Sequence, residues 1–193
     1  MAIIAQRTMN VTWTVATGHQ IDPAVDTDQM KNIGPIWGSW STWRSCATDN
    51  VVCHDLARAR ELVKREFQTH CNLYTAQQYH ADLGRPVGVK YYGGQFDQEV
   101  DNMEDIIGLH LATAGSEIVL MMGFNFLPIG ELTDRFELHK LKNRYGLVHS
   151  LISNNDAVQF VLLDHPKKID KIYQDLANLT CDNLGNVLKL LAQ

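Results

Sequence analysis

The chain has 193 residues, 45% of them hydrophobic and 20% charged, with a formal net charge of −5. That length suits one domain with a core large enough to fold without staples, and the composition excludes a disordered segment or a coiled coil. Lys and Arg are scattered apart from short clusters at 58–65 and 140–144, so the broad basic face that phosphate-backbone binding needs is missing and nucleic acid is set aside as a partner.

Taken in chain order, residues 1–7 offer neither the charged start nor the apolar run of a signal peptide. The alternation at 11–16 predicts a first strand, closed by Thr17-Gly18-His19-Gln20, and the polar stretch 22–32 reads as a long loop. A short strand is expected at 33–37, with Gly38-Ser39-Trp40-Ser41-Thr42 as its exit. Val52, Leu56, Ala59, Val63 and Phe67 recur at helical spacing, with Asp49 or Asn50 as the cap. A shorter helix is expected at 76–82, stopped by Gly84-Arg85-Pro86.

Residues 87–92 form the next expected strand, ending in Gly93-Gly94-Gln95-Phe96-Asp97. The helix after it carries Val100, Met103, Ile107, Leu111 and Ala114 on one face, and its acidic first turns (Glu99, Asp101, Glu104, Asp105) read as compensation of the helix dipole. The apolar run 118–122 predicts a strand buried on both faces, leaving through Gly123-Phe124-Asn125. A helix at 132–152 and a strand at 158–163 follow, the strand running into Asp164-His165-Pro166. The stripe Ile169, Ile172, Tyr173, Leu176 and Leu179 predicts a C-terminal helical extension over about 167–193, broken near Asp182.

Strands interleaved with helices imply a single three-layer α/β domain. It is expected to hold a largely parallel sheet of about four or five strands, helices on both faces, and a Rossmann-like architecture. In such sheets ligands bind beyond the carboxyl ends of the strands. Four of the five expected exits open with glycine, and all hold hydrogen-bonding side chains. Ser39, Ser41, Thr42 and Arg44 are the expected anion-holding group, since hydroxyls donate and a guanidinium clamps a phosphate or carboxylate. Gln95, Asp97 and Asn125 would orient hydroxyls or a base edge, and Asp164 with His165 or His19 would transfer protons. Trp37, Trp40 and Trp43 are stacking platforms or core anchors.

The chain has no G-x-x-x-x-G-K-S/T loop, G-x-G-x-x-G fingerprint, H-E-x-x-H or G-x-S-x-G. Its four cysteines lack framework or zinc-knuckle spacing, so no metal is expected and the cofactor is left open. The expected function is a small-molecule site for a nucleotide or another phosphorylated or anionic metabolite. As an enzyme it would be a hydrolase or transferase working at a phosphate or glycosidic bond. The alternative is a non-enzymatic subunit that meets a protein partner or its own copies through exposed aromatics. With no apolar run near the roughly twenty residues of a membrane span, the expected location is the cytoplasm.

Overall fold

The computed structural model describes residues 9–17, 27–94, 100, 102–124, 126, 135–164 and 169–191, with side chains omitted at 135–137. The strands are β1 (Val11–Val15), β2 (Ile36–Ser39), β3 (Asn50–Cys53), β4 (Asn72–Ala76), β5 (Val89–Tyr92), β6 (Ile118–Met122), β7 (Gln159–Leu163) and β8 (Leu179–Asp182). They form one eight-stranded sheet in the order β5-β4-β3-β2-β1-β6-β7-β8, and every neighbouring pair is parallel. The helices are α1 (Thr27–Ile33), α2 (Trp40–Trp43), α3 (Leu56–Lys64), α4 (Met103–Thr113), α5 (Arg135–Ser153) and α6 (Leu184–Leu191). The α/β class and the parallel sheet match the sequence expectation. The sheet is larger than the four or five strands expected.

Alternation along the central strands explains the layers. Val11, Trp13, Val15, Leu120 and Met122 join Met30 of α1 and Leu184 and Val187 of α6 in one cluster. On the opposite face Val119, Met121, Phe160 and Leu162 pack against Ile107 and Leu109 of α4 and Tyr145, Val148 and Ile152 of α5. A third cluster seats Ala59 and Leu62 of α3 on Val51, Cys53 and Leu73, with Trp40 and Trp43 at its border. Those two indoles stack 5.6 Å apart, and each meets the Phe67 ring edge-on at 5.1 and 4.7 Å. Trp37 lies on the other face, 4.7 Å from the Tyr74 ring.

Three strands and one helix depart from the sequence reading. Asn50–Cys53 is a strand rather than a helical start, and the helix behind it begins at Leu56 under an Asp55 cap that accepts from Arg58 N–H. Asn72–Ala76 is a strand where a helix was expected from Ala76, and a single 3-10 turn, Gln77–Tyr79, follows it. Leu179–Asp182 pairs with β7 as an edge strand inside the expected helical extension. Its approach is set by Asn178, whose amide donates to the carbonyls of Ile152, Asn155 and Val158. The loop expected at 22–32 holds α1, which buries Met30 while its carbonyl accepts from Trp13 Nε1 at 3.0 Å.

The turn from α1 into β2 depends on Gly34, because a Cβ there would stand 1.9 Å from the Val11 carbonyl oxygen. That neighbour is backbone of the central strand and cannot swing away. Gly34→Ala is therefore expected to cost about 3 kcal/mol or more in urea unfolding, at the upper end of overpacking penalties.

Candidate functional site

Because β1 leads toward β2 while β6 leads toward β7, the chain leaves these neighbours in opposite directions, which makes their carboxyl ends the topological switch point of the sheet. The first described residue beyond β1 and Ala16 is Thr17. Its backbone N–H donates to Asp105 Oδ1 at 2.8 Å, and its hydroxyl lies 2.7 Å from the same oxygen. Asp105 belongs to the first turn of α4 and is buried, and its Oδ2 pairs with Arg144 of α5 at 3.1 Å. Burial pushes the Asp105 carboxyl up, while Arg144 and the two Thr17 contacts work against that shift.

The same first turn holds Glu104, whose Oε1 accepts the His54 N–H at 2.9 Å just beyond β3. His54 is fastened twice more: its carbonyl accepts from Tyr79 O–H at 3.0 Å, and its Nδ1 lies 2.6 Å from the Tyr92 hydroxyl at the end of β5. Thus α4 is tied to the exit of β1 by one carboxylate and to the exit of β3 by the next. Between them lies an open pocket of about 420 Å³, lined by Thr17, Ser41, His54, Asp55 and Tyr79 from the strand exits and by Asn102, Met103 and Glu104 from α4. That volume falls in the range of small-molecule sites.

The electrostatics of this pocket are unusual for its exposure. Burial pushes the Glu104 carboxyl up to about 7, with Asp105 and Asp55 adding to the shift and the His54 N–H opposing it. Burial also lowers His54, so its ring favours the neutral form, though Asp55 works in the opposite direction. A carboxyl that titrates near neutrality and opens onto a cavity is suited to general acid–base work. Among the described residues lining the pocket, two are carboxylates and none is Lys or Arg.

Comparison with protein-family models, with curated proteins and with solved structures finds no match. The site is therefore read from its own residues.

The residues singled out from the sequence fall into three groups. Ser41 lines the pocket. Ser39 and Thr42 lie beneath it: the Ser39 hydroxyl caps α2 through Thr42 N–H, stands 2.8 Å from Thr17 Oγ1 and 3.1 Å from Thr42 Oγ1, and is fully buried. Together these hydroxyls form a chain that ends on Asp105. Gly38 permits it, since a Cβ there would stand 2.8 Å from the Thr42 methyl. Arg44 is exposed and closes the turn of α2. It comes three residues after Ser41 and so shares its side of the turn.

Asp164 has a different partner set, since its carboxylate accepts from Asn183 Nδ2 and Leu184 N–H at the start of α6. The exits of β3 and β7 are four strand spacings apart in the sheet order, about 19 Å, so Asp164 and His54 do not share one pocket. His19, Gln95, Asp97, Asn125 and His165 lie outside the described residues.

Sequence reasoning missed His54, Asp55, Tyr79 and Glu104. The first two sit at the exit of a strand whose Val51-Val52-Cys53 merged into a helical pattern. Glu104 was assigned to dipole compensation, and a buried hydrogen-bonded carboxylate has the same sequence signature. The signal available for His54-Asp55 was a β-branched pair followed by polar residues and a good helix cap.

Among the described residues, no group of three or more His, Cys, Asp or Glu side chains is gathered as a metal site would require. The four cysteines are free thiols, and burial pushes Cys53 and Cys71 up to about 12, away from nucleophilic use near neutral pH. No helix among the described residues is long and apolar enough to cross a membrane.

Proposed function

We propose that this protein binds a nucleoside- or nucleotide-type metabolite at the carboxyl ends of its strands and cleaves the glycosidic bond, as a hydrolase or glycosyl transferase. The observation that carries this reading is Glu104: a carboxyl raised to about 7, bonded to the His54 N–H and opening onto a pocket at the sheet's carboxyl edge. Glycosidic cleavage passes through an oxocarbenium-like state that carboxylates stabilise. Phosphoryl transfer instead concentrates negative charge, which calls for cationic groups around the reacting phosphate. The carboxylates of Asp55 and Glu104 favour the first over the second.

In this reading Glu104 takes a proton from the attacking water or alcohol, and Ser41 and Tyr79 border the sugar. Arg44, on the side of α2 that carries Ser41, would meet a phosphate at the rim, which keeps nucleotides within the ligand class. A base must be ionised, so kcat/KM should rise with pH and level off above about 7.

The test is a thermal-shift and hydrolysis panel of nucleosides, nucleotides and sugar phosphates. A ligand at a hundred times its Kd should stabilise the fold by about 2.7 kcal/mol. Glu104→Gln should abolish turnover of any substrate found while preserving binding. Turnover that survives this variant would remove Glu104 from the chemistry.

A further inference from the structure

Charge at the pocket narrows the substrate class, on the reading that a glycosidic bond is cleaved there. We infer that the pocket selects N-glycosides whose leaving group carries a positive charge, such as a ribosyl pyridinium, and that Asp55 is the residue determining this preference. Asp55 and Glu104 both contribute carboxylates to the pocket, one at the head of α3 and the other in the first turn of α4, where Glu104 holds the N–H of His54 next to Asp55. The Arg58 guanidinium pairs with Glu61 at 3.0 Å on the exposed face of α3, and its charge lowers the Glu104 carboxyl less than the Asp55 charge raises it. His54 between them is biased toward its neutral ring. The aromatic ring of Tyr79 completes this wall, and an aromatic face also attracts a cation.

The chemistry agrees with the residues present. When the C1′–N bond of a ribosyl pyridinium breaks, the bonding electron pair passes to the ring nitrogen and cancels its charge. The positive charge then resides on the sugar as an oxocarbenium, so the pocket faces one positive charge throughout. Water oxygen bonds to C1′ and its proton passes to the Glu104 carboxylate. The products are the free sugar, the neutral pyridine and one proton released to solvent. No acid is needed for the leaving nitrogen, whereas an uncharged purine or pyrimidine would demand a proton donor as well as a base. Among the described lining residues Glu104 is the carboxyl placed near neutrality, and it cannot serve as both at once.

Asp55 offers a clean test because its Oδ1 also caps α3, accepting Arg58 N–H at 2.6 Å. Asn keeps that acceptor and is an equally good cap, so Asp55→Asn removes the charge and leaves the helix start intact, while Asp55→Ser provides a second neutral cap. The probes are nicotinamide riboside, which is a pyridinium, and the uncharged nucleosides adenosine and uridine. The wild-type protein is expected to show a kcat/KM at least tenfold higher for the cation. In both variants the ratio of cationic to uncharged kcat/KM should fall at least tenfold, with an unchanged melting temperature. An unaltered ratio, or a wild-type preference for adenosine or uridine, overturns charge selection and leaves Glu104-dependent glycosidic cleavage standing. Absence of turnover on every probe overturns both.

Discussion

Replacing Glu104 by Gln is expected to make the protein more stable and inactive together. In the folded chain this carboxyl is raised to about 7 from an ordinary 4.5. Below 4.5 both folded and unfolded states hold the proton and burial carries no charge penalty. Between 4.5 and 7 the folded state keeps a proton that the unfolded state has lost, so stability falls as pH rises and reaches its floor above 7. At about 1.4 kcal/mol for each pH unit, the cost at pH 8 is up to about 3 kcal/mol. Gln carries no charge at any pH and still offers an oxygen to the His54 N–H. Urea unfolding at pH 5 and at pH 8 should show the variant's advantage widening between the two. An equal difference at both would mean that the carboxylate is fully hydrated by the pocket, and its assignment as the base would lose its basis.

Arg144→Met should produce the opposite result. Asp105 is inaccessible and Arg144 is 18% exposed, so removing the guanidinium strands a carboxylate that the fold has desolvated. Breaking one side of a buried pair costs about 3 to 5 kcal/mol. Met replaces the apolar stem and isolates the loss of charge. Lowering the pH toward 4 should narrow the difference as Asp105 takes up a proton. Arg144→Lys should recover part of it, since an ammonium supplies charge without the planar fork. A loss below about 1 kcal/mol at pH 7 would rank this pair with surface ion pairs and release Thr17 from its dependence on it.

The fold class was legible because it rests on long, strongly patterned segments. The run Ile118–Met122 is apolar on both sides of the sheet, and Tyr145, Val148 and Ile152 hold their helical stripe against it. The missing strands are four or five residues long and each carries Asn or Asp at one end, and each adjoins residues that extend a helical spacing by chance. Leu179 continues the stripe of Tyr173 and Leu176 in sequence, while in space Tyr173 stacks on Phe126 at 4.0 Å and donates to the Tyr145 carbonyl. Such pairings over long separations leave no local trace.

The candidate site divides in the same way. That it would sit at the strand exits follows from topology and was legible. Which hydroxyls face outward was not, because Ser39 and Ser41 are identical by composition and differ only by the half-turn that α2 makes over Gly38. His54 became visible only once β3 separated from α3, since a residue's place at a strand exit is defined by where the strand ends.

The position of β1 in the sheet order bears on how the chain acquires its structure. Val11 of β1 is paired with Ile118 of β6, 107 positions later, whereas β1 through β5 line up in succession on the other flank. One flank can therefore grow by short-range steps as each unit joins the last. The seam between β1 and β6 must wait for the far half of the polypeptide, with one edge of β1, a strand of buried residues, uncovered meanwhile. High contact order of this kind slows folding and favours a populated half-sheet intermediate. The pocket beside Thr17 lies on the first flank but takes Asn102, Met103 and Glu104 from α4, which separates β5 from β6 in the chain, so its wall is completed only after that flank has formed.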